Sequence, residues 1–159
     1  MLKRPELLSP AGNLTKLKIA LEYGADAVYG SVASFSLRTR SAREFNLETF
    51  KEAIDYTHEK GKKFYATINA FPFNSQIEPL KRHLQTISAM KPDAFIIATP
   101  GVMSLAKEIA PDIEIHLSTQ ANVMNVLDAK IYHDMGAKRI VVAREMNLKD
   151  VIKIKEEIP

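Results

Sequence analysis

The chain has 159 residues, of which 46% are hydrophobic and 26% charged, with a net charge of +3 and no cysteine. This composition is typical of a globular domain with one core, and it excludes disulfides, thiolate nucleophiles and thiolate metal sites from this stretch. The charges are interspersed along the chain, so contact with nucleic acid is permitted but not required. No apolar run approaches the roughly 20 residues that a bilayer span needs, and we expect a cytoplasmic protein.

Six apolar runs of strand length alternate with amphipathic helical stretches. The runs lie near residues 6–8, 26–29, 63–68, 94–97, 114–117 and 139–142. Strands that alternate with helices pair in parallel, because a right-handed helical crossover connects neighbouring parallel strands. The pattern predicts an α/β fold, namely a parallel (β/α) barrel of the TIM type that is truncated to about six βα units.

Helix boundary signals support this division of the chain. Capping side chains precede four of the helical stretches, and glycines suited to a left-handed conformation follow three of them. The capping residues are Asn13, Asn46, Thr99 and Asn147, and the glycines are Gly24, Gly61 and Gly136. The loop over residues 31–45 is longer than a plain βα turn needs, which is typical of a functional loop.

A closed barrel of this type has eight strands, and the sequence contains about six. Either residues 1–159 are the amino-terminal portion of a single barrel domain whose remaining strands are absent, or another chain completes the sheet. We favour truncation, because bare sheet edges are a known liability. For the same reason we expect the isolated chain to associate with itself through its open edges.

Polar groups follow the predicted strands at their carboxyl ends, where the loops of a βα barrel converge. They include Ser9, residues 36–40, Asn69, residues 99–101, residues 118–122, Arg144 and Glu145. Arg38 and Arg40 are two residues apart, so in an extended segment both guanidinium groups point the same way. With Arg144, they would suit a ligand with two carboxylates or phosphates. The alternative for the two loop arginines is a solvated loop with structural salt bridges.

His116, Ser118, Gln120 and Asn122 alternate along the end of the fifth predicted strand. This parity predicts that His116 faces the barrel interior and that Ile115 and Leu117 lie beneath the helices. His116 is then either a satisfied interior group or a residue for proton transfer or ligand binding. The other three histidines, which we expect at the surface, are His58, His83 and His133.

No catalytic residue is assigned from the residue pattern. The spacing of a zinc or non-heme iron site is absent, no serine lies in a nucleophile elbow, and the glycines do not form a dinucleotide fingerprint. Among the aromatic residues, Tyr65 is expected to pack in the core, whereas Phe71 and Phe73 are expected to be exposed and able to stack on a base.

These motifs resemble the amino-terminal half of the collagenase-like peptidase family, the thirty-second family classed as of unknown catalytic type. The resemblance is carried by residues 6–12 (ELLSPAG), 24–29 (GADAVY), 36–40 (SLRTR), 92–94 (PDA), 116–122 (HLSTQAN) and 144–145 (RE). Residues 38–61 and 115–145 are most similar to the branch that helps to make 5-hydroxyuridine in bacterial tRNA, a reaction linked to prephenate. One departure is Gly30-Ser31, where many relatives carry a glycine pair.

The resemblance implies a parent enzyme that modifies tRNA. From their places at the predicted strand ends, we expect further ligand-binding residues beside the arginines, namely Asn69, His116, Ser118, Gln120, Asn122 and Glu145. It also implies an iron–sulfur cluster held by cysteines beyond Pro159, so this segment carries no cofactor and should be inactive alone as a hydroxylase. Prephenate, with two carboxylates, would match the arginine set. Other branches hydroxylate ribosomal RNA or a ubiquinone precursor. The alternatives are a collagenase-like peptidase and a non-catalytic module that binds RNA or a small anion.

Overall fold

A computed structural model describes residues 4–37 and 45–158, which leaves Arg38 and Arg40 outside the described part of the chain. The strands are β1 (Leu8–Pro10), β2 (Ala27–Gly30), β3 (Lys63–Ile68), β4 (Ala94–Ile97), β5 (Glu114–Leu117) and β6 (Arg139–Ile140). The helices are α1 (Leu14–Glu22), α2 (Leu47–Glu59), α3 (Ile77–Ala89), α4 (Pro100–Ile109), α5 (Val126–Asp134) and α6 (Leu148–Glu157). Short 3₁₀ turns occupy Asn74–Gln76 and Thr119–Ala121.

All the strands belong to one parallel sheet, and they follow one another in chain order from β1 to β6. This order, with helices between successive strands, is the arrangement of a parallel βα barrel of the TIM type reduced to six units, as predicted. Within the described residues, β1 and β6 are the two edges of the sheet. The structure is therefore an open half-barrel of six βα units.

The helix boundaries agree with the capping signals. The side chain of Asn13 accepts a hydrogen bond from the Lys16 N–H at 2.9 Å, and Asn46, Thr99 and Asn147 cap their helices in the same way. Gly24, Gly61 and Gly136 have φ values of +94°, +65° and +100°. Each glycine thus supplies the left-handed residue that ends a helix at little steric cost.

The two faces of the sheet differ in what they contact. The outer face packs against the helices through large buried side chains, which are Val28, Phe64, Phe95, Ile97, Ile115 and Leu117. Burying each such side chain contributes about 1.5–3 kcal/mol. The inner face carries a smaller apolar cluster of Ala27, Tyr65, Ala94 and Ile96. The alternation predicted for Ile115, His116 and Leu117 is confirmed, because Ile115 and Leu117 join the helix side.

Two sequence-based expectations about individual positions are wrong. The sixth strand ends at Ile140, two residues earlier than the apolar run suggests, since its strand pairing with β5 ends at the Leu117–Ile140 pair. His83 is half-buried rather than at the surface, since its ring packs against Phe35 with 5.2 Å between centroids. His58 and His133 are exposed as expected. In the part of the chain described here, no helix has the length and apolar character that a membrane span requires.

The loop that follows β2 is anchored at both described ends. Val32 forms a parallel bridge with Phe45, and the Ala70 N–H donates a hydrogen bond to the Phe35 carbonyl at 3.1 Å. Phe45 also packs edge-on against Phe50, with 5.6 Å between ring centroids. The start of this loop is thereby attached to the segment that follows β3.

Gly30 should tolerate no side chain. A Cβ atom there would lie 2.7 Å from the Ala11 carbonyl oxygen and 2.9 Å from the Phe45 ring. We expect Gly30→Ala to lower the free energy of unfolding by about 1–3 kcal/mol, because the backbone at Ala11, just after β1, and the Phe45 ring must shift. Urea denaturation would measure this change. Gly101→Ala is the control, since nothing lies within 4 Å of the added methyl, and it should be neutral or stabilising by up to about 1 kcal/mol.

Candidate functional site

The carboxyl ends of the strands bring several predicted site residues together. Asn69 follows β3, and its amide Nδ2 donates a hydrogen bond to the Ser118 hydroxyl at 3.4 Å. The Asn69 Oδ1 accepts a second bond, from the Leu37 N–H at 3.2 Å. Asn69 therefore connects the ends of β3 and β5 to the beginning of the long loop that contains Arg38 and Arg40.

His116 lies on the inner face of the sheet, where the sequence pattern placed it. Its side chain is 2% exposed, and its ring meets the Tyr65 ring edge-on at 4.5 Å between centroids. Burial, with the nearby positive charge of Arg139, lowers the pKa of His116 below its usual value. His116 is accordingly neutral at physiological pH, and its Nε2 lies 3.3 Å from Glu114 Oε2.

A second polar cluster lies toward the amino ends of the strands and was not anticipated from the sequence. The Tyr65 hydroxyl donates a hydrogen bond to Glu6 Oε1 at 2.9 Å, and Arg139 Nη1 donates to the same oxygen at 2.6 Å. Glu6 precedes β1 and Arg139 begins β6, so the cluster spans the inner face from one edge of the sheet to the other. Tyr65 is thus more than the packing residue expected from the sequence.

The ionisation of this cluster follows from its contacts. Burial alone would raise the pKa of Glu6, but the hydrogen bonds from Arg139 and Tyr65, with the charges of Arg139 and Lys63, lower it overall. Burial and the bond to Glu6 raise the pKa of Tyr65 to about 12. At neutral pH the carboxylate is therefore ionised, and the phenol keeps the proton that it donates.

The remaining predicted site residues are less closely associated. Gln120, Asn122, Arg144 and Glu145 are exposed beyond the ends of β5 and β6. The predicted strand alternation fails for Gln120 and Asn122. After Ser118 the chain turns into a 3₁₀ helix, and Asn122 has a left-handed φ of +54°. The Ser118 hydroxyl accepts a bond from the Gln120 N–H at 3.3 Å and begins this turn, which no strand pattern could indicate.

The donor set of this chain does not fit an iron–sulfur cluster. The chain has no cysteine, and such clusters are held by thiolates. Nor do the described histidine and acidic side chains gather in any group of three suited to a metal ion. What the described site offers is a set of hydroxyl, amide and imidazole groups at the carboxyl ends, which can bind and orient a polar ligand.

Comparison with known proteins gives a consistent result. The sequence profile described as Peptidase family U32 matches residues 12–159. The chain is 65% identical over 154 residues to the "tRNA hydroxylation protein P" of Helicobacter pylori (strain ATCC 700392 / 26695), covering 97% of this chain and 36% of that protein. It is 41% identical over 156 residues to the protein of the same name from Escherichia coli (strain K12), covering 98% and 34%.

The fold comparison agrees with these relatives. The solved structure titled "The Structure of the U32 Peptidase Mk0906" aligns with a TM-score of 0.81 at 18% sequence identity, over 98% of this chain and 66% of that chain. At this identity the match concerns the fold alone. The chain spans about a third of the length of the two curated relatives, at 36% and 34%.

The cluster of Glu6, Tyr65 and Arg139 should make the free energy of unfolding depend on pH. Tyr65→Phe removes a donor to Glu6, so at pH 7 the free energy of unfolding should fall by about 1–2 kcal/mol. Because the folded-state pKa of Glu6 is lowered, its stabilising effect is present above the unfolded-state pKa of about 4.5 and is lost as pH falls through the folded value. The difference between wild type and variant should therefore shrink on acidification.

Urea unfolding at several pH values between about 3 and 7 would measure this effect. Tyr23→Phe is the matched control, because the Tyr23 side chain is 86% exposed, and it should change stability little at any pH. A Tyr65→Phe protein as stable as wild type throughout this range would contradict the stabilising role of the cluster.

Proposed function

Because the chain belongs to peptidase family U32, we propose that it is the amino-terminal portion of the barrel domain of a tRNA-hydroxylating enzyme that makes 5-hydroxyuridine. The observation that carries this proposal is the 65% identity to a tRNA hydroxylation protein over almost the whole chain. The rest of the barrel, and the cysteines that would hold an iron–sulfur cluster, would come from sequence beyond this segment. The residues of this chain would bind and orient the reactants.

The described site supports a binding role. Asn69 follows β3, and His116 and Ser118 lie at or near the end of β5, with β4 between the two strands. All three are thus near the carboxyl ends of the strands, where βα barrels bind their ligands. The neutral imidazole of His116 can accept or donate one hydrogen bond, and Ser118 carries a hydroxyl already oriented by Asn69. In this proposal these groups recognise an uncharged, hydrogen-bonding part of a ligand such as a nucleobase.

The charged part of the proposed ligand set is a small organic dicarboxylate, with prephenate as the specific candidate. Arg38, Arg40 and Arg144 would bind its carboxylates, because guanidinium groups form paired, charge-assisted hydrogen bonds with such anions. Asn69 supports this role for the loop, since it binds the Leu37 N–H at 3.2 Å, immediately before Arg38. Gln120, Asn122 and Glu145 would contact the same ligands from the ends of β5 and β6.

Peptide hydrolysis is the alternative that the family name raises. Among the described residues, the Ser118 hydroxyl is paired with the Asn69 amide, and the His116 Nε2 faces Glu114 at 3.3 Å. An amide cannot act as the general base that a serine nucleophile needs. These contacts favour ligand binding at this face over a serine-dependent hydrolase. A non-catalytic module that binds RNA or a small anion is the second alternative.

We expect the protein in the cytoplasm, where tRNA is modified. The isolated 159-residue chain should associate with itself, because β1 and β6 are sheet edges in the described structure and unpaired edges favour intermolecular pairing.

The function can be tested by complementation. A bacterial strain lacking its own tRNA 5-hydroxylation genes would receive either the full-length gene or the segment encoding residues 1–159. Mass spectrometry of purified tRNA should detect 5-hydroxyuridine only with the full-length gene, since the segment has no cysteine for a redox centre. Peptide cleavage by the purified full-length protein, without tRNA hydroxylation, would instead establish the peptidase alternative.

The arginine set can be tested by calorimetry on the full-length protein. Arg38→Ala, Arg40→Ala and Arg144→Ala should each weaken prephenate binding by about 1.5–3 kcal/mol for a direct contact. Arg82→Ala is the matched control, because Arg82 is an exposed arginine on α3 that is not part of the proposed site. Unchanged affinity in an arginine variant would remove that arginine from the site.

A further inference from the structure

A small pocket lies where β1, β2 and β3 end, and no proposed role yet accounts for it. Its volume is about 30 Å³, which is sufficient for one oxygen-sized occupant. It is lined by Ala11, Gly12, Tyr29, Gly30, Ser31, Ser36 and Thr67. No carboxylate lines it, and four of the lining side chains carry a hydroxyl group.

The Thr67 hydroxyl is the first sign that the pocket holds a ligand. Thr67 is only 7% exposed, and in the described part of the chain its Oγ1 is the one buried side-chain oxygen or nitrogen without a hydrogen-bond partner. Leaving such a group unpaired costs free energy, so a folded protein generally supplies a partner. A threonine hydroxyl can donate one hydrogen bond, and the pocket is where an acceptor would lie.

The start of α1 is the second sign. Gly12 lines the pocket and directly precedes Asn13, the residue that caps this nine-residue helix. The first turn of a helix leaves N–H groups that helical bonding does not use, and it carries a partial positive charge. An acceptor with negative charge is therefore favoured in this pocket over a neutral one.

The backbone around the pocket is closely packed, which keeps the pocket small. Gly30 is the last residue of β2, the strand between β1 and β3. A Cβ atom there would approach the Ala11 carbonyl oxygen to 2.7 Å. Ala11 is held in place by its N–H bond to the Tyr29 carbonyl at 2.8 Å. Tyr29 and Ser36 make interactions of their own, and among the described residues Thr67, not Ser31, is the lining residue with a buried hydroxyl that lacks a partner. We therefore assign the ligand to Thr67 and the helix start.

We propose that this pocket binds one oxygen of a carboxylate or phosphate group, with Thr67 Oγ1 donating a hydrogen bond to it beside the start of α1. Only one oxygen fits, so the remainder of the ligand lies outside the pocket at the carboxyl ends of the strands. Asn69, two residues beyond Thr67 on the same side of the chain, lies in that direction. The inference deepens the proposed dicarboxylate site and rests on that proposal for the ligand's identity.

The test uses calorimetry on the full-length protein with malonate and inorganic phosphate as separate probes. Thr67→Val removes the hydroxyl with little change of shape, and it should weaken binding of at least one probe by about ten- to a hundredfold. Thr67→Ser keeps the hydroxyl and should bind as wild type does. Stronger binding of malonate than of phosphate would identify a carboxylate as the preferred ligand, and the reverse would identify a phosphate.

Thr57→Val is the matched control. Thr57 is buried in α2, where its hydroxyl donates to the Ala53 carbonyl at 2.7 Å. This variant should leave anion affinity unchanged, which separates loss of a buried hydroxyl in general from loss of the one in the pocket. Urea unfolding of all three variants would show that they are folded.

Three results would overturn the inference. They are unchanged affinity in Thr67→Val, no binding of either anion to wild type, and a high-resolution crystal structure with the anion present that shows only water in the pocket. Production of 5-hydroxyuridine in tRNA, measured separately, distinguishes this failure from failure of the proposed function. If the Thr67→Val protein still hydroxylates tRNA normally and still binds prephenate, the pocket inference is wrong while the proposed function stands.

Discussion

The ion pair between Glu6 and Arg139 joins the two edges of the sheet across its concave face. The two residues are 133 positions apart, yet Arg139 Nη1 lies 2.6 Å from the carboxylate, and the Tyr65 hydroxyl binds the same oxygen. The contact requires a sheet curved enough for the segment before β1 to meet the start of β6. It is only partly exposed, so water screens it less than a surface pair. The curvature that it stabilises determines where the carboxyl ends of the strands converge.

The parallel sheet separates the chemistry of its two faces. Side chains that point outward are mostly large and apolar, because they pack against helices. Inward positions carry hydroxyl, imidazole and charged groups beside the smaller apolar cluster that includes Ala27, Ala94 and Ile96. Along β3 and just beyond its end, the inner row runs from Tyr65 through Thr67 to Asn69. Each of these residues carries a polar group at a different depth of the half-barrel. A single strand thus contributes to the amino-end cluster, to the small pocket and to the contact with Ser118.

This division is consistent with a segment that binds ligands while the redox chemistry lies elsewhere in a longer protein. The chain spans about a third of the length of the two curated relatives named above, at 36% and 34%, and it has no cysteine. Its described groups are suited to recognition of polar and anionic ligands. If the proposed tRNA hydroxylation is right, it would require residues other than those of this chain.

The sequence by itself determined the order of elements, their parallel pairing and most helix ends, because these depend on local periodicity and on capping side chains such as Asn13 and Asn46. It also predicted that His116 faces inward, since strand parity is a local property. Only the tertiary structure decided that Glu6 meets Arg139, that His83 is covered by Phe35, and that the Thr67 hydroxyl is left without a partner. The first two features are contacts between residues far apart in the chain, and the third follows from how the strands pack around Thr67. They depend on the curvature and register of the sheet, which no local pattern encodes.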